Sequence, residues 1–501
     1  MSNKLSSRLS AQDAAFLYLE RQNAPLHIGS LGVYEGRISF ERFSDHIDSR
    51  MPLIPRYRQR LTFVPLNIAH PTWEDDPDFR IENHVYHVPL PAPGTDQQLT
   101  ELAAELFSQP LDRGKPLWEM YVIDGIEGER TGILSKVHHC MVDGVSGIAL
   151  LMATVDISRE PAPAPETAPW DPGPLPDVGV RLANAFWDQL GEQRDLLQDF
   201  QESLIDPAPQ LRRTQDILRA MRLASPADGL PTPRNPFATT LGPDRRVAFT
   251  EMSFVEIREI RKSLGGTVND VVLAVLAGAL RRYLTADDQN AELSEVRTAI
   301  PVNIRLEGEE ESLGNRISFM LTSLPIAEAD PAQRLSTIHN RLDLLKQENQ
   351  AGGLELLSRT ASYVPVPIQA LAGLASSTSR LVDLICTNVP GPMIPLYSVG
   401  HLMLAHYPMV PLSFDLGLSV GVTSYNQRLY FGLMTEPSAV PNVDLLKRYV
   451  DESFLELRDA AGVGPTDVPA LEVQQNGQKA TEPKKSAKTS RESPRSGARR
   501  P

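Results

Sequence analysis

Two adjacent histidines and an aspartate stand close together in the stretch Val137-His138-His139-Cys140-Met141-Val142-Asp143-Gly144. Imidazole is the side chain best suited to moving a proton near neutral pH, so this grouping points first to general acid–base work. Each residue also has a blander reading. A histidine ending an apolar run is often a satisfied core residue, and an aspartate before a helix often only caps its orphan amides. A metal pair is a further reading, but no third ligand follows at a familiar spacing. Covalent catalysis by serine is disfavoured, because Gly144-Val145-Ser146-Gly147-Ile148 lacks the last glycine of a nucleophile elbow.

The elements that must position these groups can be read from the flanking pattern. Apolar runs at 133–137 and 148–155 predict a strand, a tight loop and a helix, with Asp143 or Gly144 at the helix start. Segments 117–123 and 132–139 predict the strands of a hairpin, with Asp124-Gly125 and Glu127-Gly128 at its turn. A turn centred near Glu127 puts Leu117 opposite His138, so that Pro116, Leu117 and Trp118 wall the histidine site. Strands are also expected at 29–34 and 85–88, and an amphipathic helix at 97–107. Further on, Thr267-Val268-Asn269-Asp270 opens a helix whose apolar positions include Val271, Val275 and Leu280. Thr267 and Asp270 have the spacing of a capping box, and Asn269 falls at the positive end of the helix dipole. Later strands are expected at 297–302, 384–387, 416–423 and 429–434.

A chain of 501 residues is too long for one ordinary core, so two domains are expected. The divisions are 1–156, a Pro-rich and helical linker at 157–235, a second domain at 236–464, and a tail at 465–501. Leu182, Phe186 and Leu190 recur at four-residue spacing in the linker, which predicts a helix lying on both domains. Between Asn476 and Pro501 eight basic and two acidic residues predict disorder, with a weak attraction to anionic membrane surfaces as the functional alternative. The net charge of −14 argues against a nucleic-acid partner. Cys140 and Cys386 are the only cysteines, which excludes a disulfide framework and suits the cytoplasm. No apolar run reaches the length of a membrane span, and no secretory signal is apparent.

His138-His139-Cys140-Met141-Val142-Asp143-Gly144 resembles the HHxxxDG motif of the coenzyme A-dependent acyltransferase superfamily. Other stretches are similar, in order, to the bacterial wax ester synthase/diacylglycerol acyltransferase branch. They are Leu9-Ser10-Ala11-Gln12-Asp13, Pro116-Leu117-Trp118, Val268-Asn269-Asp270, Pro301-Val302-Asn303-Ile304-Arg305, Leu313-Gly314-Asn315 and Asn388-Val389-Pro390-Gly391-Pro392. The resemblance implies an α/β fold of two chloramphenicol-acetyltransferase-like sandwich domains joined by a helical linker. Their interface would hold a tunnel that coenzyme A enters from one side and the acceptor alcohol from the other.

It further implies direct transfer of a fatty acyl group from acyl-CoA to diacylglycerol or a long-chain alcohol, giving triacylglycerol or wax ester. Neither metal nor prosthetic group is implied. His139 would be the general base and His138 would order the loop. The glycerolipid acyltransferases use a histidine separated by four residues from an aspartate, which selects His138 instead. Asp143 would be chiefly structural, paired with Arg58 or, next, Arg56 of Pro55-Arg56-Tyr57-Arg58-Gln59-Arg60, and Gly144 completes the motif. Asn269 would donate an amide to the oxyanion or hold the site across the domain boundary. Pro116, Leu117, Trp118 and Asp270 would bind substrate, and Cys140 would be a bystander. Insoluble acceptors imply peripheral contact with a membrane or lipid-droplet surface, through the apolar stretch 363–375 or the basic tail. Two rivals remain: an acyltransferase of polyketide or peptide products fed by a carrier protein, and a non-catalytic lipid-binding protein.

Overall fold

The computed structural model describes residues 8–142, 144–161, 163, 170–205, 214–215, 218–219, 235–285, 294–303, 317–350, 352 and 382–466. Met1–Leu471 forms one compact unit. Asp143, Ile304-Arg305, Leu313-Gly314-Asn315, the stretch 363–375 and the basic tail lie outside the described residues.

The chain opens with helix α1 (Ala11–Leu19), whose Ser10 caps the Asp13 amide at 3.1 Å. Strand β1 (His27–Glu35) and helix α2 (Phe40–Arg50) follow, then the small ribbon β2 (Gln59–Thr62) and β3 (Thr72–Asp75). Next come β4 (Val85–Pro89), α3 (Asp96–Ser108), β5 (Trp118–Ile126), β6 (Arg130–His138) and α4 (Gly144–Thr154). The expected hairpin is present in the expected register: Trp118 pairs with Val137, and the His138 amide donates to the Leu117 carbonyl at 3.0 Å. Its turn runs through left-handed Gly125 (φ +80°) and Gly128 (φ +79°), where a side chain would be strained.

Helix α5 (Val178–Ile205) corrects the expectation drawn from Leu182, Phe186 and Leu190. Its inner face is made by Ala185, fully buried against Val64 and Ala69, with Arg181 donating to the Phe63 carbonyl and Gln189 to that of Ile68. A small residue lets the helix approach closely, and the large apolar residues 182, 186 and 190 are turned to solvent.

The second half supplies β7 (Arg246–Ser253), the helix Phe254–Leu264, the helix Val268–Thr285, β8 (Glu295–Asn303), β9 (Ile317–Pro325) and the helix Pro331–Gln347. Then come β10 (Leu384–Val389), β11 (Tyr397–Ser398), β12 (His401–Met409), β13 (Leu418–Tyr425), β14 (Arg428–Thr435) and the helix Val443–Ala460. Helix Val268–Thr285 is buried almost all round, from Asp270 to Leu280, which is why its apolar residues show no single stripe. Among the described residues no single helix is long and apolar enough to cross a membrane.

Two six-stranded sheets result, in the orders β11-β12-β1-β6-β5-β4 and β7-β14-β13-β10-β8-β9. The first takes two of its strands from 397–409, so the division expected at 236 does not separate the sheets. β12 pairs antiparallel with β1, from Gly29 opposite Met409 to Tyr34 opposite Met403. It also packs on the second sheet. Gly421 and Gly432 face each other across β13 and β14, and a Cβ on Gly432 would stand 1.9 Å from the Pro408 carbonyl oxygen. The Tyr425 hydroxyl donates to the Met403 carbonyl at 2.8 Å, tying the sheets again further along β12.

Candidate active site

β6 ends at His138, which sits opposite His27 on β1 and is 1% exposed. The Cys140 amide donates to His138 Nδ1 at 3.1 Å, so the ring proton belongs on Nε2, which lies 3.3 Å from Glu20 Oε1. Burial alone would raise the Glu20 carboxyl. Contacts with His138, Arg113 and the Leu26 amide outweigh it and lower the pKa to about 2. His138 thus accepts a hydrogen bond from its own loop and faces an ionised carboxylate.

His139 is placed differently. Its amide donates to the Leu26 carbonyl at 2.9 Å, and its ring lies flat on Phe16 of α1, centroids 4.0 Å apart and planes 7° from parallel. Half-buried, it lines a cavity that His138 does not reach. Cys140 is buried and its thiol pKa is pushed well above its ordinary value, first by burial and then by the charges of Asp13 and Glu20. A thiol so held is a poor nucleophile.

The cavity has a volume of about 270 Å³ and lies between the two sheets. Ile28 of β1, Val137 of β6 and Met409 of β12 form one wall; Phe319 of β9, Ile385 of β10 and Val422 of β13 form the other, and α4 closes a side. A mostly apolar chamber with the His139 imidazole on its wall suits a long acyl chain and an uncharged acceptor.

The other expected residues divide. Asn269 starts its helix and accepts from Asn388 Nδ2 at 3.3 Å; Thr387 and Val389, beside Asn388, line the cavity. Two motifs distant in sequence therefore meet at the far wall. Leu117 and Trp118 are 0% exposed and stand behind the cavity surface, which Tyr57 and Met120 form instead. Trp118 is stacked between Tyr57 (4.6 Å) and His84 (4.5 Å), and its Nε1 donates to the Tyr57 carbonyl at 2.8 Å. Pro116, Leu117 and Trp118, expected to bind substrate, are not among the residues lining this cavity.

Asp270, also expected to bind substrate, is placed similarly. It is fully buried, caps its helix by accepting the Thr267 amide at 2.8 Å, meets His339 Nδ1 at 2.8 Å, and does not line the cavity. Arg58 lays its guanidinium over the Trp170 ring, 4.7 Å from its centroid; Asp143, its expected partner, lies outside the described residues. Gly144 opens α4, as expected.

Phe16, Glu20 and His406 went unnoticed in the sequence. Phe16 and Glu20 are one helical turn apart, a spacing visible in the sequence, but their contacts with the histidines are tertiary. His406, 5% exposed on β12, lines the same cavity; burial pushes its pKa down to about 4, so it stands neutral there.

These buried imidazoles make the protein acid-sensitive. Burial holds His70, His84 and His406 at about 4, while the unfolded chain titrates near 6.5. Between those values the unfolded state binds protons that the folded state refuses, so stability falls as pH drops from 6.5 toward 4. Each histidine contributes about 1.4 kcal/mol per pH unit in that window. Melting temperatures recorded from pH 8 to 5 should stay level at first and decline below about 6.5. A level curve down to pH 5 would contradict this account.

The family model of the wax ester synthase/diacylglycerol acyltransferase catalytic domain matches residues 9–272, and that of the WS/DGAT C-terminal domain matches 313–458. A probable diacylglycerol O-acyltransferase of Mycobacterium tuberculosis is 32% identical over 465 residues, covering 90% of this chain and 96% of that protein. A second, putative diacylglycerol O-acyltransferase of the same organism is 32% identical over 470 residues, 91% of this chain and 97% of its own. Among solved structures, the wax ester synthase/diacylglycerol acyltransferase from Marinobacter aquaeolei VT8 superposes with a TM-score of 0.63 at 24% identity, covering 91% of this chain and 100% of that one. The first condensation domain of the calcium-dependent antibiotic synthetase has the same fold, with a TM-score of 0.60 at 16% identity over 93% of this chain and 99% of its own.

Proposed function

We propose that this chain, which belongs to the wax ester synthase/diacylglycerol acyltransferase family, moves a fatty acyl group from acyl-CoA to the hydroxyl of diacylglycerol and of long-chain alcohols. The observation that carries the reading is the His139 imidazole opening onto an apolar cavity between the two sheets. A thioester is already activated, so the protein must deprotonate the alcohol and stabilise one oxyanion. His139 takes the hydroxyl proton as the alcohol oxygen attacks the thioester carbonyl. The tetrahedral intermediate then collapses, the carbon–sulfur bond breaks, and the coenzyme A sulfur receives the proton from His139. Asn269, tied to Asn388, is our candidate for holding the far side of the site. Asp143 would hold the loop. This chemistry requires neither metal nor prosthetic group.

Acceptors of this kind reside in lipid, and we infer a peripheral contact with a membrane or lipid-droplet surface. The solvent-facing Leu182, Phe186, Trp187 and Leu190 of α5 support it.

Labelled palmitoyl-CoA, offered diacylglycerol and hexadecanol in parallel, tests the reading. Labelled triacylglycerol is the expected product, with wax ester from the alcohol. Transfer only from a carrier-protein thioester would favour the polyketide or peptide reading. Lipid binding without transfer from any donor would leave a non-catalytic protein.

A further inference from the structure

Glu20 follows the last turn of α1, and its contacts lead to the histidine pair. Its Oε1 accepts the Leu26 amide at 3.0 Å and faces His138 Nε2 at 3.3 Å. Its Oε2 accepts from Arg113, Nη2 at 2.6 Å and Nε at 3.2 Å. Arg113 also donates to the Leu17 carbonyl at 2.9 Å, which fixes the end of α1. From Leu26 the chain of contacts continues, because its carbonyl accepts the His139 amide at 2.9 Å. Phe16, one helical turn before Glu20, carries the His139 ring on its face.

We infer that Glu20 is a positioning residue for acyl transfer, holding the His138 ring, the Leu26 backbone and the end of α1 so that His139 meets the cavity in one orientation. It does not line the cavity itself. The inference rests on His139 being the base, as proposed above. The division of labour within the carboxylate supports it: one oxygen serves the histidine side and the other is anchored by Arg113. With a side chain 9% exposed and a pKa near 2, the group stays charged throughout the working range of an imidazole base. A base displaced by an ångström loses its reach to the hydroxyl proton, and a misplacement of that size costs about a hundredfold in rate.

The test uses Glu20→Ala and Glu20→Gln in the full chain, with kcat, KM for both substrates and melting temperatures. Glu20→Ala should lower kcat about a hundredfold with KM unchanged, since ground-state binding is untouched. Glu20→Gln keeps an oxygen for the Leu26 amide and His138 Nε2, and should recover most of the loss. A residue that only supports the fold would lower the melting temperature and leave kcat per folded enzyme as in the wild type. That result would overturn the proposal. If Glu20→Ala does not fold, Arg113→Ala, which frees the anchored Oε2, carries the test: lowered kcat at constant KM supports the role, and wild-type kcat removes it. Full activity in a His139→Ala protein would instead overturn the base assignment, a separate result from wild-type kcat in the Glu20 variants.

Discussion

His139→Ala should lower kcat by about two to four orders of magnitude, the usual cost of removing a general base, while the protein stays folded. The second half of that expectation comes from its place. His139 is half-buried directly after β6, and its backbone bond to Leu26 survives the substitution. Thin-layer assay of labelled product, with a melting curve on the same sample, separates the two effects. His138→Ala should behave differently, losing stability along with activity, because it empties a buried site beside the ionised Glu20. Near-normal turnover in folded His139→Ala, with His138→Ala inactive, would move the base to His138.

Trp118→Ala is expected to have the largest effect on stability. The indole is 0% exposed, stacked on both faces and hydrogen-bonded through Nε1. Truncating a buried aromatic of this size costs about 3–5 kcal/mol, to be read from the denaturant midpoint. Activity should fall too, since Tyr57, which lines the cavity, loses the ring it leans on. Trp118→Phe separates the contributions: it keeps the stacking and leaves the Tyr57 carbonyl unmatched, at roughly 1–3 kcal/mol. A midpoint within error of wild type for Trp118→Ala would exclude the buried stacking described here.

Local rules made part of this architecture legible. The β5–β6 register follows from strand period and turn chemistry, which act over a few residues, and so placed Leu117 against His138 correctly. The Thr267–Asp270 capping box was readable for the same reason. Side-chain direction on β5 was not, because residues 118–123 are buried on both faces and alternation carries no information. For Asp270 the cap was legible, whereas its contact with His339 depends on how two helices pack and was not. Glu20 and Phe16 stayed hidden because their meaning depends on where α1 docks. Periodicity misread α5, since it weighs large apolar residues and the helix packs through Ala185.

The pairing of β12 with β1 has a consequence for how the protein is made. From the time residue 138 leaves the ribosome, β1 can join β6, but its other edge has no neighbour until residue 409 has been synthesised. Throughout that interval the growing chain carries an open strand edge, a template for pairing with other chains. Closing it brings together segments from opposite ends of the sequence, a slow step on entropic grounds. The sheet that bears the histidines is thus begun first and completed near the end of synthesis.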